Sequence, residues 1–462
     1  MATLMRAVHC PSALLPDGWA TDVRLDLAAD GTIARVQPRS TLPRSPDVLV
    51  LPGPTVPGMP NLHSHAFQRA IAGCTQRRGP GSDSFWTWRE AMYASLDRIG
   101  PEELEAIAAA LYVELLEGGF TSIAEFHYVH HDTNGTPYTD SAELSWRILE
   151  AANTTGIGLT HLPVLYMTGG FDGRPLGPRQ ARFGSTPGSL LELIERFASR
   201  MGPRHNVGLA LHSLRAVPPD ALQHAVSGLR QLRPGAPIHI HIAEQTAEVD
   251  ACLATRGTRP VAWLLDHAPV DADWCLIHAT HIDPTEATHM QRTGLVAGLC
   301  PTTEADLGDG LFPAVSWVQS GGILGVGTDS HVGRSAADEL RWLEYGQRLF
   351  TRGRNVLHWP GHAHTGAALW RAAAQGGACA LGRRAGAIEV GAHADLISLD
   401  PSAPGLTGLS GDEVLDAWVF GGDTHLVSTV LVDGAVCVRD GRHVARDPIM
   451  QRFRRVLQHL RK

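Results

Sequence analysis

The chain has 462 residues, of which 44% are hydrophobic and 19% charged, with a formal net charge of -8 and a pI near 6.3. This composition excludes a disordered chain, and the acidic balance provides no basic face for nucleic acid or an anionic membrane, so we expect a small-molecule partner. A (β/α)8 barrel with an accessory module accounts for a chain of this length.

The cysteines indicate the compartment. The chain contains seven of them, an odd number, and none forms a Cys-x-x-Cys pair. This usage favours reduced thiols, as in cytoplasmic proteins. The N-terminal segment has no apolar stretch of signal-peptide length, and no later window is long enough to cross a membrane. We therefore predict a cytoplasmic protein without a membrane segment.

Both ends of the chain carry short apolar runs joined by turns. Residues 1–56 contain Pro-Asp-Gly and Asp-Gly turns between alternating apolar runs, and residues 388–445 repeat this pattern in ADLISLD (394–400) and STVLVDGAVCVRDGRHV (428–444). Because the first segment is too small to fold alone, we predict that the two segments form one composite β-sandwich. Residues 446–462 are predicted to form a C-terminal helix.

Residues 57–387 alternate short apolar runs with longer helical stretches. The strand-like runs include TSIAEFHYV, VGLALHSL, CLIHAT and GILGVGTDS, and the helical stretches include PEELEAIAAALYVELLEGG. Repeated strand and helix predict a parallel sheet, and the length suits a closed TIM-like (β/α)8 barrel. Several of the strand-like runs end in polar residues. Active sites of such barrels lie at these carboxyl ends of the strands.

The first polar strand end is PGMPNLHSHAFQR, in which His63 and His65 are two residues apart. Because side chains alternate along a strand, both imidazoles point to the same face and are able to bind one ion. A pair of barrel-lining histidines explains an isolated His-x-His equally well. The assignment therefore depends on the strand ends that follow.

The second polar strand end is PIHIHIAEQ, which contains His239, His241 and Glu244. His241 is nearer the carboxyl end of the strand and is the predicted metal ligand. His239 fits either packing or a supporting role. Glu244 lies just beyond the strand, where a carboxylate without a role would be costly to desolvate, so we predict that it carries a proton.

Two further strand ends complete the set. In CLIHATHID, His278 ends the strand and is predicted to be functional, with His281 following in the loop. In GILGVGTDSHV, an apolar and glycine-rich strand ends at Asp329, with His331 beyond it. Asp329 is suited to bind a metal and to accept a proton from water, although aspartate is also a favoured helix N-cap.

Four polar strand ends in one barrel are hard to assign to packing. We predict a single metal ion held by His63, His65, His241 and Asp329. Nitrogen and oxygen ligands with an open position suit catalytic Zn²⁺, and Fe²⁺ or Mn²⁺ accept the same donors.

The motif order H-x-H, H-x-x-E, H, D resembles the deaminase branch of the amidohydrolase superfamily. This resemblance implies one metal ion without a bridging carbamylated lysine, and the predicted barrel strands contain no lysine. NLHSHAFQRA, FWTWRE, AEFHYVHH, LHSLRAV, HIAEQ, ATHID and CPTTEADLGDG are similar to the formimidoylglutamate deiminases of that superfamily. The implied activity is hydrolysis of N-formimino-L-glutamate to N-formyl-L-glutamate and ammonia in histidine degradation, by a homodimer.

The resemblance also implies a set of residues that holds the two carboxylates of the substrate. These are Arg89, Tyr128, His212 and Arg215, with Gln68 nearby. Arginine suits bidentate binding of a carboxylate, which supports a dicarboxylate substrate independently of the resemblance. On composition alone, Arg89 would be a solvated residue on the face of a helix. Asp306 departs from the family pattern, which more often has asparagine, and adds negative charge near the pocket.

The expected mechanism separates the metal ligands from the residues that move protons. Asp329 is expected to accept a proton from the attacking water and Glu244 to protonate the imino nitrogen. His278 is expected to stabilise the tetrahedral intermediate. One alternative is a deaminase of a heterocycle such as a guanine, cytosine or adenosine derivative, whose pocket would not need two arginines. Another is a scaffold without activity, although this chain keeps all four ligands and Glu244.

Overall fold

Strands near the start of the chain form one half of a sheet. The computed structural model describes residues 5–41, 47–78, 81, 83–422 and 426–462. The first strands are β1 (Ala7–Leu15), β2 (Gly18–Leu27), β3 (Ile33–Gln37), β4 (Val48–Val50) and β5 (Pro54–Pro57). The pair β1 and β2 is an antiparallel hairpin, while β4 and β5 run parallel to β1.

Strand and helix then alternate through the centre of the chain. The first half consists of β6 (Met59–Ser64), α1 (Phe85–Leu96), α2 (Pro101–Glu117), β7 (Phe120–His127), α3 (Glu143–Thr155), β8 (Gly158–Leu165), α4 (Pro187–Arg200), β9 (Asn206–Val207), β10 (Leu209–Leu211) and α5 (Pro219–Leu232). The second half consists of β11 (Ile238–Ile242), α6 (Thr246–Arg256), α7 (Pro260–His267), β12 (Trp274–His278), α8 (Pro284–Thr293), β13 (Val296–Leu299), α9 (Pro301–Leu307), α10 (Ala314–Gln319), β14 (Ile323–Val326), α11 (Ala336–Thr351) and α12 (Thr365–Leu381).

The remaining elements return to the first sheet. They are β15 (Leu396–Leu399), α13 (Glu413–Phe420), β16 (Val427–Val432), β17 (Ala435–Arg439), β18 (Arg442–His443) and the terminal helix α14 (Arg446–Leu460). The chain-end sheet has the order β18-β17-β16-β15-β5-β1-β2-β3, with β4 beside β1. The strands from the two chain ends meet in this sheet where β5 pairs antiparallel with β15. The sheet encloses a small apolar core of its own, separate from that of the barrel.

The central strands form a parallel barrel. Their order is β14-β13-β12-β11-β10-β8-β7-β6, with the short β9 beside β8. A parallel bridge between Ser64 and Asp329 brings the first and last strands together. The predicted fold class, a TIM-like (β/α)8 barrel with a small β-sandwich domain built from both chain ends, is therefore confirmed, and the strands of the two chain ends belong to one nine-stranded sheet. Among the described residues, no helix is both long and apolar enough to cross a membrane.

Local sequence signals explain where the helices begin and end. At α8, the side chain of Asp283 accepts hydrogen bonds from the backbone N–H groups of Thr285 and Glu286. Pro284 occupies the first turn, where its missing N–H has no partner to lose. The helix ends at Gly294, whose φ of 75° is in the left-handed region that favours glycine.

One helix packs directly on the strands that close the barrel. A Cβ atom on Gly376 of α12 would lie 1.9 Å from the carbonyl oxygen of Leu324 in β14. A Cβ on Gly377 would lie 2.9 Å from the carbonyl oxygen of Pro60 in β6. Only glycine allows this approach, so the Gly-Gly pair sets the position of β6 and β14.

A buried ionic cluster connects the barrel to the chain-end sheet. Arg383, just after α12, contacts Asp395 at 3.1 Å and Asp433 at 2.7 Å, and all three side chains are at most 5% exposed. Arg204 contacts the other oxygen of Asp433 at 2.9 Å. Because Asp433 lies in the turn between β16 and β17, the cluster fixes that turn against the barrel.

Candidate active site

Three imidazoles and one carboxylate converge at the carboxyl ends of the barrel strands. The Nε2 atoms of His63 and His241 are 2.9 Å apart. Oδ1 of Asp329 lies 3.4 Å from Nε2 of His65 and 3.6 Å from Nε2 of His63. All four side chains are buried. Strands β6, β11 and β14 thus bring the four sequence-predicted ligands into one cluster.

Backbone carbonyls orient two of the imidazoles. Nδ1 of His65 lies 3.0 Å from the carbonyl oxygen of Phe126, and Nδ1 of His241 lies 3.0 Å from that of His212. A carbonyl oxygen only accepts, so each Nδ1 carries the proton. Each Nε2 is left with a free lone pair that faces the cluster, which is the usual arrangement of metal-binding histidines.

The electrostatics of the cluster suit a cation. Burial lowers the pKa of His65 to about 3 and holds the pKa values of His63 and His241 well below their usual range. The imidazoles are therefore neutral, as a metal ligand must be. Burial raises the pKa of Asp329 to about 7, with further increases from the charges of Glu244 and Glu304. A bound cation would stabilise this carboxylate in its charged form, so the donor set fits a divalent ion.

The strand ends bend sharply where the polar residues emerge. Asp329 has a φ of 45° and His278 a φ of 69°, both in a region that residues other than glycine rarely adopt. Such strain persists where the surrounding structure fixes it, often at functional sites. At Asp329, two backbone hydrogen bonds to the end of β6 hold this conformation. The N–H of Asp329 donates to the carbonyl of His63 at 3.0 Å, and its carbonyl accepts from the N–H of His65 at 3.2 Å.

His278 lies among three carboxylates. Its Nε2 atom is 3.8 Å from Oε1 of Glu244 and 3.8 Å from Oδ2 of Asp329, and its Nδ1 atom is 3.2 Å from Oε1 of Glu304. Burial alone lowers the pKa of His278. The charge of Glu244 and the hydrogen bond with Glu304 outweigh that effect and raise the pKa to about 10. The side chain is therefore a cationic donor between two carboxylates at the edge of the cluster.

A narrow cavity opens from the cluster. Its walls include all five residues expected to bind the substrate, namely Gln68, Arg89, Tyr128, His212 and Arg215. Gln68 donates a hydrogen bond from Nε2 to the hydroxyl of Tyr128 at 3.1 Å. Phe85, Met92, Tyr93, Tyr166 and Phe183 supply much of the remaining wall. The structure therefore places three of the four predicted metal ligands around one cavity with the predicted proton carriers and substrate residues, and His63 lies behind them in the cluster.

The two arginines face this cavity with unused donors. Nε of Arg89 and Nη1 of Arg215 are buried and have no hydrogen-bond partner among the described residues. The Cζ atom of Arg89 lies 4.5 Å from the ring centroid of Trp86, and that of Arg215 lies 5.7 Å from the same centroid. Arg89 thus lines the cavity, rather than lying on the solvated helix face that composition alone would suggest. Buried guanidinium donors of this kind suit an anionic ligand.

The other histidines of these motifs bind within the protein. Nε2 of His239 donates to the carbonyl of Ala380 at 2.7 Å, so of the two roles considered for His239 the packing role matches its contacts. Nε2 of His281 donates to the carbonyl of Asp309 at 2.9 Å. His331 is fully buried, with a hydrogen bond to the side chain of Thr328.

Asp306 does not line the cavity. Its Oδ1 atom accepts a hydrogen bond from Nε2 of Gln76 at 2.6 Å, while the next residue, Leu307, contributes to the cavity wall. The carboxylate of Asp306 therefore points towards Gln76, in the segment between β6 and α1. Partial burial raises the pKa of this carboxyl.

Sequence reasoning missed Glu304 and Tyr166. Tyr166 lines the cavity just after β8, so the rule that found the other polar strand ends also identifies it in GLTHLPVLYM. Glu304 lies in α9, inside the segment CPTTEADLGDG that carried the resemblance. The aromatic residues of α1 belong to the segment FWTWRE that carried the resemblance, but their pattern alone did not place them in the cavity wall, because apolar residues on a helix usually pack in a core.

Two family models match the chain. The model of the amidohydrolase family matches residues 55–437. The model described as the N-terminal domain of the formimidoylglutamate deiminase HutF matches residues 5–42. Together the two matches include the barrel and strands from both ends of the chain.

Relatives of known sequence and structure extend this likeness. The chain is 49% identical to the formimidoylglutamate deiminase of Pseudomonas aeruginosa, over 99% of this chain and 100% of that protein. It is 28% identical to the 5-methylthioadenosine/S-adenosylhomocysteine deaminase of Natronomonas pharaonis, over 76% and 74% of the two chains. An amidohydrolase structure from Brucella melitensis superposes with a TM-score of 0.92 at 46% identity, covering 99% of this chain and all of that one.

Proposed function

The chain belongs to the amidohydrolase family and, within it, to the formimidoylglutamate deiminases, and from this premise we infer that it hydrolyses N-formimino-L-glutamate to N-formyl-L-glutamate and ammonia, a step of histidine degradation. The observation that carries this conclusion is the 49% identity along the whole length of a formimidoylglutamate deiminase. The cavity agrees with it, since it combines a cluster for a metal with two arginines that have unused donors. The enzyme is thus a hydrolase acting on the C–N bond of an amidine.

We propose one Zn²⁺ as the metal. His63, His65, His241 and Asp329 would hold it, since the three Nε2 atoms and the carboxylate of Asp329 lie together and the Nε2 lone pairs of His65 and His241 are free. When bound, such an ion supplies the Lewis acidity that activates water for attack on a carbon–nitrogen double bond. Three nitrogen donors and one oxygen donor suit zinc, and Fe²⁺ and Mn²⁺ accept the same donors.

The surrounding side chains supply the proton transfers. Asp329 accepts a proton from the attacking water, and Glu244 donates a proton to the imino nitrogen from its carboxyl group. Nε2 of His278, 3.8 Å from both carboxylates, donates a hydrogen bond that stabilises the tetrahedral adduct. Water adds to the formimino carbon, and the proton taken by Asp329 then passes to the terminal nitrogen. The bond from the carbon to that nitrogen breaks and ammonia leaves, while the hydroxyl proton of the adduct returns to Glu244 as the formyl C=O bond forms. The formyl group of the product keeps the oxygen of the water.

We propose that the part of the cavity wall formed by Arg89, Arg215, Tyr128, His212 and Gln68 binds the two carboxylates of the substrate. Arg89 and Arg215 provide the charge and the unused N–H donors. Tyr128 and His212 provide neutral donors near the cluster, because burial holds the pKa of Tyr128 well above and that of His212 well below its usual range. Gln68 orients the hydroxyl of Tyr128 through its hydrogen bond. The dicarboxylate then lies with its formimino group towards the metal ligands.

We further propose a cytoplasmic homodimer. All seven cysteines are free thiols in the structure, which agrees with a reducing compartment. The dimer follows from the family resemblance. As domains we propose residues 1–56 with 388–445 for the chain-end module, 57–387 for the barrel and 446–462 for the terminal helix, although residues 1–4, 42–46, 79–80, 82 and 423–425 of these ranges lie outside the described residues.

One assay tests the proposed function. Ammonia release is measured with N-formimino-L-glutamate and, in parallel, with guanine, cytosine and adenosine derivatives, before and after treatment with a chelator. We expect release from the formimino substrate alone, its loss after chelation, and recovery when Zn²⁺ is returned. Release of ammonia from a heterocycle and none from the formimino substrate would favour a heterocycle deaminase. The full-length match to a formimidoylglutamate deiminase supports that alternative less well than the proposed function.

A further inference from the structure

Trp86 lies outside the cavity wall but contacts both arginines of the cavity. We propose that Trp86 is a positioning residue, which sets the separation of Arg89 and Arg215 and thereby selects the chain length of the dicarboxylate substrate. This inference rests on the proposed function, because it concerns the anionic end of the same substrate.

The geometry makes one indole the common support of two cations. The Cζ atoms of Arg89 and Arg215 lie 4.5 Å and 5.7 Å from the ring centroid of Trp86, so they are at most 10.2 Å apart, the sum of the two distances. Arg89 and Trp86 are three residues apart on α1 and therefore share a helix face. Arg215 comes from the loop after β10. Trp86 thus contacts both α1 and the loop after β10, the two elements whose arginines are proposed to bind the same ligand.

The electrostatics explain why an aromatic residue is suited to this position. Two guanidinium groups repel each other, and a carboxylate between them would occupy the site meant for the substrate. The face of an indole carries partial negative charge and attracts both cations without neutralising either. Tyr93, whose ring centroid is 5.5 Å from Cζ of Arg89, adds a second aromatic face. Both arginines thereby stay charged and keep donors free for the ligand.

The exposure of Trp86 distinguishes positioning from core packing. The residue is 38% exposed, whereas its neighbour Phe85 is 8% exposed and forms part of the cavity wall. Removing the indole would leave the apolar core largely intact. The main loss would be the support of the two guanidinium groups, whose spacing decides whether both ends of a dicarboxylate are bound at once.

The test compares two substrates that differ by one methylene. Steady-state kinetics are measured with N-formimino-L-glutamate and N-formimino-L-aspartate for the wild type, Trp86→Ala and Trp86→Phe. For Trp86→Ala we expect KM for the glutamate compound to rise about 10-fold, a size typical of losing two cation–π contacts, with kcat changed less than about 3-fold. The preference for glutamate over aspartate in kcat/KM falls about 5-fold or more, by the same reasoning. Trp86→Phe, which keeps an aromatic face, retains most of the preference.

A matched control is available on α11. Trp342 is 50% exposed, is not part of the cavity wall and contacts neither arginine, so Trp342→Ala should leave KM and the substrate preference unchanged. Metal content and circular dichroism are measured for every variant. An unchanged preference in Trp86→Ala, or an equal fall of kcat for both substrates, would overturn the inference while the proposed function stands. A wild type that hydrolyses neither compound would instead refute the proposed function and the inference with it.

Discussion

Nδ1 of His278 lies 3.2 Å from Oε1 of Glu304, and the same oxygen accepts the backbone N–H of Cys300 at 2.9 Å. Glu304 is therefore fixed to the end of β13 and oriented towards His278, while it is not itself part of the cavity wall. This contact directs the other ring nitrogen of His278 towards Asp329 and Glu244. The arrangement matches the general pattern in which a third group orients a catalytic imidazole.

Replacing Glu304 tests this orientation. Glu304→Leu should lower kcat about 10- to 100-fold, the range found when a group that orients an active-site histidine is lost, while the metal content stays the same. Glu304→Gln keeps an oxygen acceptor for Nδ1 and should retain more activity than the leucine variant. Kinetics and metal analysis of both variants check this. Full activity of Glu304→Leu would show that the contact has no role in turnover.

Glu244→Gln tests the proton donor. The amide keeps the size of the side chain but cannot donate an acidic proton to the leaving nitrogen. We expect kcat to fall about 10²- to 10⁴-fold, as for other general acids, with the metal still bound. Steady-state ammonia release and metal content measure the two effects. If turnover survives at the wild-type rate, the proton reaches the nitrogen by another route.

Arg215→Met tests the carboxylate site. Methionine fills a similar volume without charge or N–H donors, so binding of the substrate should weaken most. We expect KM to rise about 100-fold, in line with the loss of a buried charge pair, with metal content unchanged. Arg174→Met is a suitable control because the side chain of Arg174 is 66% exposed and is not part of the cavity wall. Loss of metal in Arg215→Met would show that the residue supports the cluster instead.

Arg383→Met tests the ionic cluster between barrel and sheet. The change leaves the carboxylates of Asp395 and Asp433 buried beside an apolar side chain. Removal of one partner from a buried ion pair destabilises a protein by about 3–5 kcal/mol, so urea denaturation should show a loss of this size. The exposed pair of Arg174 and Asp172 provides the comparison, since Arg174→Met should cost less than about 1 kcal/mol. Equal losses in the two variants would mean that the cluster adds little.

The lowered pKa of Asp433 predicts that the protein loses stability on acidification. Burial alone raises its pKa, but the hydrogen bond with His393 and the charge of Arg383 outweigh burial and lower the pKa. A carboxyl with a lowered folded-state pKa stabilises the fold fully above its unfolded pKa, and this contribution disappears as the pH falls through the folded pKa. The advantage of the wild type over Asp433→Asn in free energy of unfolding should therefore shrink from pH 6 towards pH 3. A difference that grows on acidification would contradict this sign.

The sequence predicted the barrel and the cluster residues because both follow from local rules. Strand and helix alternate visibly, and polar residues at strand ends stand out against apolar runs such as that before Asp329. Glu304 was not assigned because it lies on a helix, where only the fold shows that it faces His278. The side to which Asp306 turns was equally hidden, since it depends on Gln76 in a distant segment. Contacts between loops are set by packing that a local pattern does not contain.

The contact between β6 and β14, the first and last strands of the barrel, has a consequence for when the site forms during synthesis of the chain. Asn61 and Thr328, which are 267 residues apart in sequence, hydrogen-bond at 2.7 Å beside the metal ligands of the first and last strands. Contacts of this range form late, because a long loop must close before they stabilise anything. A nascent chain that has emerged only as far as β11 carries His63, His65 and His241 without Asp329. If these four residues bind the ion as proposed, a complete metal site exists only after the last barrel strand has been made.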